Sequence, residues 1–278
     1  MVTRRDYNAE AVQATQSVLL EVLHALGEYA ADIVLVGGWV PSLIANSEID
    51  PHIGTTDVDL ALDHRHIADT AYENIRELLL KRGYKEGRQP FIFIRTMTRR
   101  DTEYKVEVDL LAGEYGGTGK KHRTQRVQDA RPRKARGCDL VFDACTEVTV
   151  EGELPGGGRD RATVKVASIM PFLVMKGMAL ASRLKEKDAY DIYYCLSNYP
   201  GGPDAVAEQI EPALSHGLVR EGLLKIREKF SSPEDIGPVL VADFLEETDP
   251  ETRDLLQRDA YERVGRLIEN LGLAHARQ

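Results

Sequence analysis

The chain changes its pattern near Val166. Before that residue, short apolar and β-branched runs alternate with glycine- and proline-rich turns, which is typical of strands joined by loops. Beyond Ser168 the apolar residues recur at three- and four-residue spacing, so only helices are predicted there. This order favours an α+β fold with two domains, one over residues 1–166 and a helical one over residues 167–278.

The composition excludes several classes of protein. With 42% hydrophobic and 29% charged residues in 278, the chain is neither disordered nor a coiled coil. Its three cysteines lack C-x-x-C spacing, which argues against a disulfide framework and favours a reducing compartment. No signal-peptide pattern is visible, and no apolar stretch is long enough to cross a bilayer. We therefore expect a cytoplasmic protein without membrane contact.

The charge is unevenly distributed along the chain, although its net value is -9. One segment of an otherwise acidic protein is strongly basic, and Asp129 is its single acid. Its basic residues are Lys120, Lys121, Arg123, Arg126, Arg131, Arg133, Lys134 and Arg136. Segment 120–136 is predicted to be a long loop that contacts a polyanionic acceptor; the alternative is a solvated, mobile loop.

A buried strand is predicted over residues 33–36, and it leads into Gly37-Gly38 and then into a helical pattern. The backbone amides of such a glycine turn, together with the start of the following helix, can hold phosphate. A second glycine-rich run, at 116–121, is not a Walker motif because position 121 is lysine rather than serine or threonine.

Aspartates occupy alternate positions in predicted strands. Asp57 and Asp59 project from one face of a strand, about 7 Å apart along the chain. If the strand that carries Asp109 is a neighbour, the three carboxylates form a cluster of the hard oxygen ligands that Mg²⁺ prefers. Glu107 shares the face of Asp109 and is a candidate auxiliary ligand. The alternative for an isolated D-x-D is a solvated strand end.

Together these features resemble the nucleotidyltransferase superfamily with a DNA-polymerase-β-like palm, whose pattern is a glycine turn, a D-x-D strand and a third acid on a later strand. A further run in the predicted helices resembles the signature of the AbiEii and MenT-like toxin family. That run comprises Lys176, Ala179-Leu180, Arg183, Lys187-Asp188 and Asp191. The resemblance implies a palm with a mixed sheet and flanking helices, followed by a helical domain.

The resemblance also implies site residues for transfer of an NMP from an NTP. Asp57, Asp59 and Asp109 would be the catalytic residues and the ligands of Mg²⁺ or Mn²⁺. Nucleotide binding would fall to Gly37, Gly38, Thr56, Lys176, Arg183, Asp188 and Asp191. For the last four, a structural salt bridge is an equally open alternative. Gly38 stands where the family often has serine, and residues 46–54 form a longer connection than in minimal members.

The acceptor is the least determined part of the prediction. The resemblance implies an RNA end such as tRNA, in a toxin-antitoxin setting with a cognate antitoxin. Two alternatives remain open, namely an adenylyltransferase that modifies small antibiotic-type molecules, and a non-catalytic module that binds nucleotide or RNA on the same fold.

Overall fold

The computed structural model describes residues 2–45, 50–67, 74–115 and 123–275. It consists of two compact units. The sheet unit contains residues 7–40 and 54–168, and the helical unit contains residues 1–6, 41–53 and 169–278. The predicted division into domains at residue 166 stays a prediction.

The sheet unit is built on one mixed β-sheet. The strands are β1 (Ile33–Val36), β2 (Asp57–Leu62), β3 (Lys85–Glu86), β4 (Ile92–Arg99), β5 (Thr102–Ala112), β6 (Arg133–Lys134), β7 (Cys145–Glu153) and β8 (Arg159–Ala167). Their order across the sheet is β3-β4-β5-β2-β1-β8-β7, and β6 pairs with the end of β5. The pairs β1–β8, β2–β5 and β5–β6 are parallel, whereas the others are antiparallel.

Helix α1 (Ala9–Ala25) contributes the apolar layer against this sheet. It begins at Asn8, whose side-chain oxygen accepts the backbone N–H of Ala11 at 2.9 Å and so caps the helix. The side chains of Val18, Leu19 and Leu20 are fully buried, and the helix contacts strands β2, β4, β5, β7 and β8. A shorter helix, α3 (Ile75–Lys81), also contacts α1. This layer covers one face of the sheet.

The helical unit contains the helices that follow the sheet in sequence. They are α4 (Ile169–Arg183), α5 (Glu186–Asn198), α6 (Gly202–Ile210), α7 (Gly217–Lys229), α8 (Ile236–Phe244) and α9 (Pro250–Asn270). Helix α2 (Val40–Ile44) lies where the chain passes from the sheet unit into residues 41–53. Helices α4 and α7 approach closely, because Gly177 faces the backbone of Gly222 and a side chain at either position would collide with the other helix.

The sequence pattern predicted the order of the elements, and the structure differs from it at particular places. The spacing of apolar residues predicts a first helix from about Ala9 to Tyr29, but α1 ends at Ala25, and residues Gly27–Asp32 form a 3-10 helix. Strands β3 and β6 were not predicted, since two residues are too few to show an alternation. Helical spacing also predicts a helix over 67–82; only 75–81 is helical among the described residues, and 68–73 lie outside them. Within the described chain, no helix combines the length and apolar character needed to cross a bilayer.

Candidate active site on the sheet and a buried charge cluster

The sheet register brings the three predicted aspartates together on one face. Strands β2 and β5 run parallel with Asp59 opposite Asp109 and Asp57 opposite Glu107. Opposed residues on neighbouring strands project from the same face at a spacing of about 4.8 Å. The intervening Val58, like Leu60 and Leu62, is fully buried on the opposite face. Asp57, Asp59, Glu107 and Asp109 therefore lie together on one face of the sheet. These four acidic residues are called the acid face.

The predicted glycine turn lies directly beside the acid face. Val36, the last residue of β1, is opposite Asp59, so the chain enters Gly37 next to that carboxylate. Gly37 has a φ of 71°, and a Cβ there would collide with the Asp59 side chain. Only glycine satisfies both conditions, because it tolerates positive φ and leaves the space that the carboxylate fills. The glycine turn and the acid face were predicted separately, and the structure places them side by side.

Gly38 is matched to a neighbour that the sequence analysis did not single out. A Cβ at Gly38 would meet the Thr55 hydroxyl oxygen at 2.6 Å, so the hydroxyl of Thr55 fills the space of a serine side chain at that position. The same hydroxyl donates a hydrogen bond to Oδ1 of Asp57. Trp39 Nε1 donates to the backbone oxygen of Asp57 at 3.1 Å. These contacts position the start of β2. Thr56, which was predicted to bind nucleotide, lies between Thr55 and Asp57 in the chain and is half-buried.

The donor set fits a hard divalent cation, because three aspartates supply oxygen ligands on adjacent strands. In the part of the chain that the structure describes, however, no three His, Cys, Asp or Glu side chains already converge as metal ligands. The Asp57 carboxylate accepts from Thr55, and Asp59 lies against Gly37. Metal binding would therefore require these side chains to rotate toward a common point on a backbone that already places them together.

Residues 123–136 of the basic segment are irregular apart from the two residues of β6, as predicted for a long loop, and backbone pairing joins the segment to the sheet. Backbone bridges join Thr124 to Arg133, and β6 pairs with the end of β5. The side chain of the buried Gln125 donates to the oxygen of Gly113 at 2.8 Å, which anchors the segment. Exposed arginines remain at Arg123, Arg126, Arg131 and Arg136. Lys120, Lys121 and the glycine-rich run 116–119 lie outside the described residues.

The other predicted nucleotide-binding residues lie in the helical unit, where they form a buried charge cluster. Lys176 on α4 contacts Asp188 at 2.9 Å and Asp191 at 2.7 Å, both on α5. Arg183 contacts Asp188 at 2.7 Å, and Lys187 contacts Asp191 at 2.5 Å. These are the contacts expected from the salt-bridge alternative. The role of these residues in nucleotide binding stays a prediction.

The ionic state of this cluster follows from mutual stabilisation. Burial alone would lower the pKa of Lys176, but the Asp188 and Asp191 carboxylates raise it above its usual value. Burial alone would raise the pKa values of both carboxylates, yet Lys176 lowers them, with help from Arg183 at Asp188 and from Lys187 at Asp191. Lys176, Asp188 and Asp191 therefore stay charged at neutral pH, and each depends on its partners.

The histidines of this sequence lack metal-ligand spacing and are predicted to be mostly exposed loop residues, but one of them, His52, completes the cluster. The His52 ring is fully buried, its Nε2 lies 2.9 Å from Asp191 and its Nδ1 lies 3.1 Å from the Ser42 hydroxyl. Burial and the charge of Lys187 lower the pKa of His52 to about 4. A neutral ring that donates from Nε2 and accepts at Nδ1 satisfies both contacts. The chain Ser42–His52–Asp191 is thus a poor nucleophile-activating triad, because its base is too weak near neutral pH.

This histidine predicts a pH dependence of stability. Its pKa is 6.5 in the unfolded chain and about 4 in the folded one, so the unfolded state binds more protons between these values. The free energy of unfolding should fall by about 3 kcal/mol as the pH drops from 6.5 toward 4. Urea unfolding across this range should show a smaller slope in His52→Gln than in the wild type. His275→Gln removes an exposed histidine and should keep the wild-type slope; equal slopes in all three proteins would contradict the assignment.

Comparison with known proteins gives no family assignment. No family model matches the sequence, and no curated protein matches it. A crystal structure described as that of a "putative nucleotidyltransferase" from H. pylori aligns with 94% of this chain and 99% of its own, at 12% identity and a TM-score of 0.38. A similarity at that level carries no argument about activity. Membership of the AbiEii and MenT-like family stays a prediction, and the functional proposal depends on the geometry of the site.

Proposed function

We propose that this protein is a metal-dependent nucleotidyltransferase that transfers an NMP from an NTP to an RNA end. The observation that carries the proposal is the pairing of Asp59 with Asp109 across parallel strands, with Asp57 on the same face and Gly37 against the Asp59 carboxylate. Such an arrangement combines oxygen ligands for a cation with backbone amides for phosphate. A structural role explains it poorly, since clustered carboxylates repel one another when no cation is bound.

The residues have distinct roles in this proposal. Asp57, Asp59 and Asp109 would hold Mg²⁺ or Mn²⁺, which when bound would offset the negative charge that develops on the phosphates. The amides of Gly37 and Gly38 bind the leaving phosphates. The acceptor oxygen forms a bond to the α-phosphorus while the bond to the β-phosphate oxygen breaks, and pyrophosphate leaves. Asp109 is the first candidate to take the proton of the acceptor hydroxyl.

The helix that follows the glycine turn contributes less than the sequence suggested. Helix α2 has five residues, too few for a substantial dipole at its N-terminus. The phosphate-binding role therefore rests on the turn itself. Thr56, Lys176, Arg183, Asp188 and Asp191 stay candidates for nucleotide binding through the resemblance alone.

RNA is favoured as the acceptor by the exposed arginines of the basic segment. Arg123, Arg126 and Arg131 are exposed on a segment that pairs with the end of β5, the strand that carries Asp109. Cationic side chains at this position can bind a polynucleotide backbone through its phosphates. A toxin-antitoxin setting remains part of the proposal, and a small helix-turn-helix protein in the neighbouring reading frame would be the expected antitoxin.

The proposal is tested by incubating the protein with Mg²⁺, total RNA and each of the four α-³²P-labelled NTPs. We expect label in RNA from at least one of them, and none when EDTA replaces the metal. Parallel reactions with small aminoglycoside-type acceptors test the antibiotic alternative. Label only in the small acceptor would favour that alternative. Binding of NTP without transfer to any acceptor would favour the non-catalytic module.

A further inference from the structure

Arg133 lies on the acid face, one strand beyond Asp109. Strand β6 is parallel to the end of β5, with Arg133 opposite Leu111. Leu111 and Asp109 are two residues apart on one strand and share a face, so Arg133 belongs to that face as well. The spacing of strands and residues puts the Cα atoms of Arg133 and Asp109 about 8 Å apart.

The guanidinium of Arg133 has no ionic or hydrogen-bonding partner among the described residues. Its Nε atom is buried without a hydrogen bond, and the guanidinium lies over the Phe91 ring, whose centroid is 5.8 Å away. Other half-buried arginines of the sheet unit are each paired with a glutamate. These pairs are Arg76–Glu86, Arg95–Glu21 and Arg99–Glu10. A buried guanidinium N–H without a partner is destabilising, so its presence calls for a ligand.

A buried thiol provides a second indication that Arg133 is close to the acids. Burial is the main cause of the raised pKa of Cys138; Asp139 and Asp59 raise it further, whereas Arg133 lowers it. Asp59 and Arg133 thus have opposite effects on the same thiol, in agreement with the sheet register that puts both on the acid face. The arginine is therefore close to the acid face without forming a salt bridge with it.

The order of groups across the sheet indicates which ligand Arg133 would bind. The glycine turn follows β1, Asp57 and Asp59 are on β2, Asp109 is on β5 and Arg133 is on β6. In an in-line displacement the leaving group and the acceptor lie on opposite sides of the phosphorus. If the glycine turn holds the leaving phosphates, the acceptor approaches on the β5 side, where Arg133 lies.

We infer that Arg133 binds a backbone phosphate of the acceptor strand, next to the hydroxyl that reacts. The inference rests on the proposed function and defines its acceptor as a polynucleotide rather than a small molecule without phosphate. The planar guanidinium can donate two parallel hydrogen bonds to the phosphate oxygens, which would satisfy its buried N–H and orient the strand end.

The test compares Arg133→Met, which keeps an unbranched apolar stem, with Arg126→Met, which removes an exposed arginine of the same segment. Binding of a fluorescent single-stranded RNA oligonucleotide is measured by anisotropy in EDTA, without NTP. We expect Arg133→Met to raise the Kd by about ten- to a hundredfold. Arg126→Met should raise it less and mainly at low salt. The Tm of Arg133→Met without RNA should be unchanged or higher, because an unpaired group has been removed.

Oligonucleotides with single neutral methylphosphonate linkages near the 3′ end test the contact itself. When the neutral linkage replaces the phosphate that Arg133 contacts, wild type and Arg133→Met should bind the oligonucleotide with equal affinity, because the charge that Arg133 would bind is already missing. Steady-state kinetics should show a raised KM for RNA and an unchanged KM for NTP. A lower Tm, an unchanged RNA Kd or a raised KM for NTP would each overturn the inference. The anisotropy assay does not depend on nucleotide transfer. If the protein binds RNA through Arg133 but transfers no NMP, the proposed function is refuted and the inference about Arg133 stands.

Discussion

Replacing Asp59 by Asn should reduce transfer of label from NTP to RNA by more than about a hundredfold, since even outer partners of metal ligands contribute ten- to a hundredfold. An amide is neutral and a poor ligand for Mg²⁺. Asp57→Asn should have a similar effect, although its amide oxygen can still accept from the Thr55 hydroxyl. Asp109→Asn should impair the chemical step more than NTP binding. These losses are measured as kcat/KM in the labelled-NTP assay.

The same variants should be more stable than the wild type without metal, because one of several like charges on the acid face is removed. Mg²⁺ or Mn²⁺ should raise the Tm of the wild type, since a ligand of the folded state stabilises it, and should have little effect on the variants. Glu103→Gln on β5 is the matched control; it lies about 20 Å along the strand from Asp109 and should behave as wild type. A fully active Asp57→Asn/Asp59→Asn protein would refute the proposed function.

Lys176→Met should lower the free energy of unfolding by about 3–5 kcal/mol, the range measured when a buried ion pair loses one partner. The substitution leaves Asp188 with Arg183 and leaves Asp191 with Lys187 and His52, in a site where both carboxylates are almost fully buried. Urea denaturation monitored by circular dichroism measures the change.

The control is Lys225→Met on α7. Lys225 forms a more exposed ion pair with Glu221, so its loss should change stability by less than about 1 kcal/mol. If Lys176→Met instead kept the stability of the wild type and raised the KM for NTP, the cluster would be a nucleotide site, as the family resemblance implies. The comparison therefore decides between the two functions that the sequence leaves open for this lysine.

The sequence predicted the elements of the acid face better than their contacts. Alternation put Asp57, Asp59 and Asp109 on strands, because a period of two is a local property. It could not show that β2 and β5 are neighbours, since that pairing joins residues about fifty positions apart. Thr55 was missed for the same reason, because its match to Gly38 depends on how the chain returns to the sheet.

Long-range contacts also explain what was missed in the helical unit. His52 lies in a segment without periodicity, and its partner Asp191 is 139 residues further along the chain. A lone histidine gives no local sign that it will be buried. The arginine at position 133 was predicted as one of eight equivalent charges, and only its pairing with Leu111 distinguishes it from the exposed arginines of that segment.

The helical unit is discontinuous in sequence, and this has a consequence for how the chain matures on the ribosome. Residues 41–53 belong with residues 169–278, although residues 54–168 are made in between. The Tyr194 hydroxyl, which donates to the oxygen of Asp50 at 2.8 Å, and the His52 partner Asp191 are both synthesised after that whole interval. When synthesis has reached residue 168, every residue of the sheet unit has been made. Helix α5, which carries the partners of segment 41–53, has not yet been made. Co-translational folding can therefore assemble the proposed catalytic strands before the buried charge cluster exists.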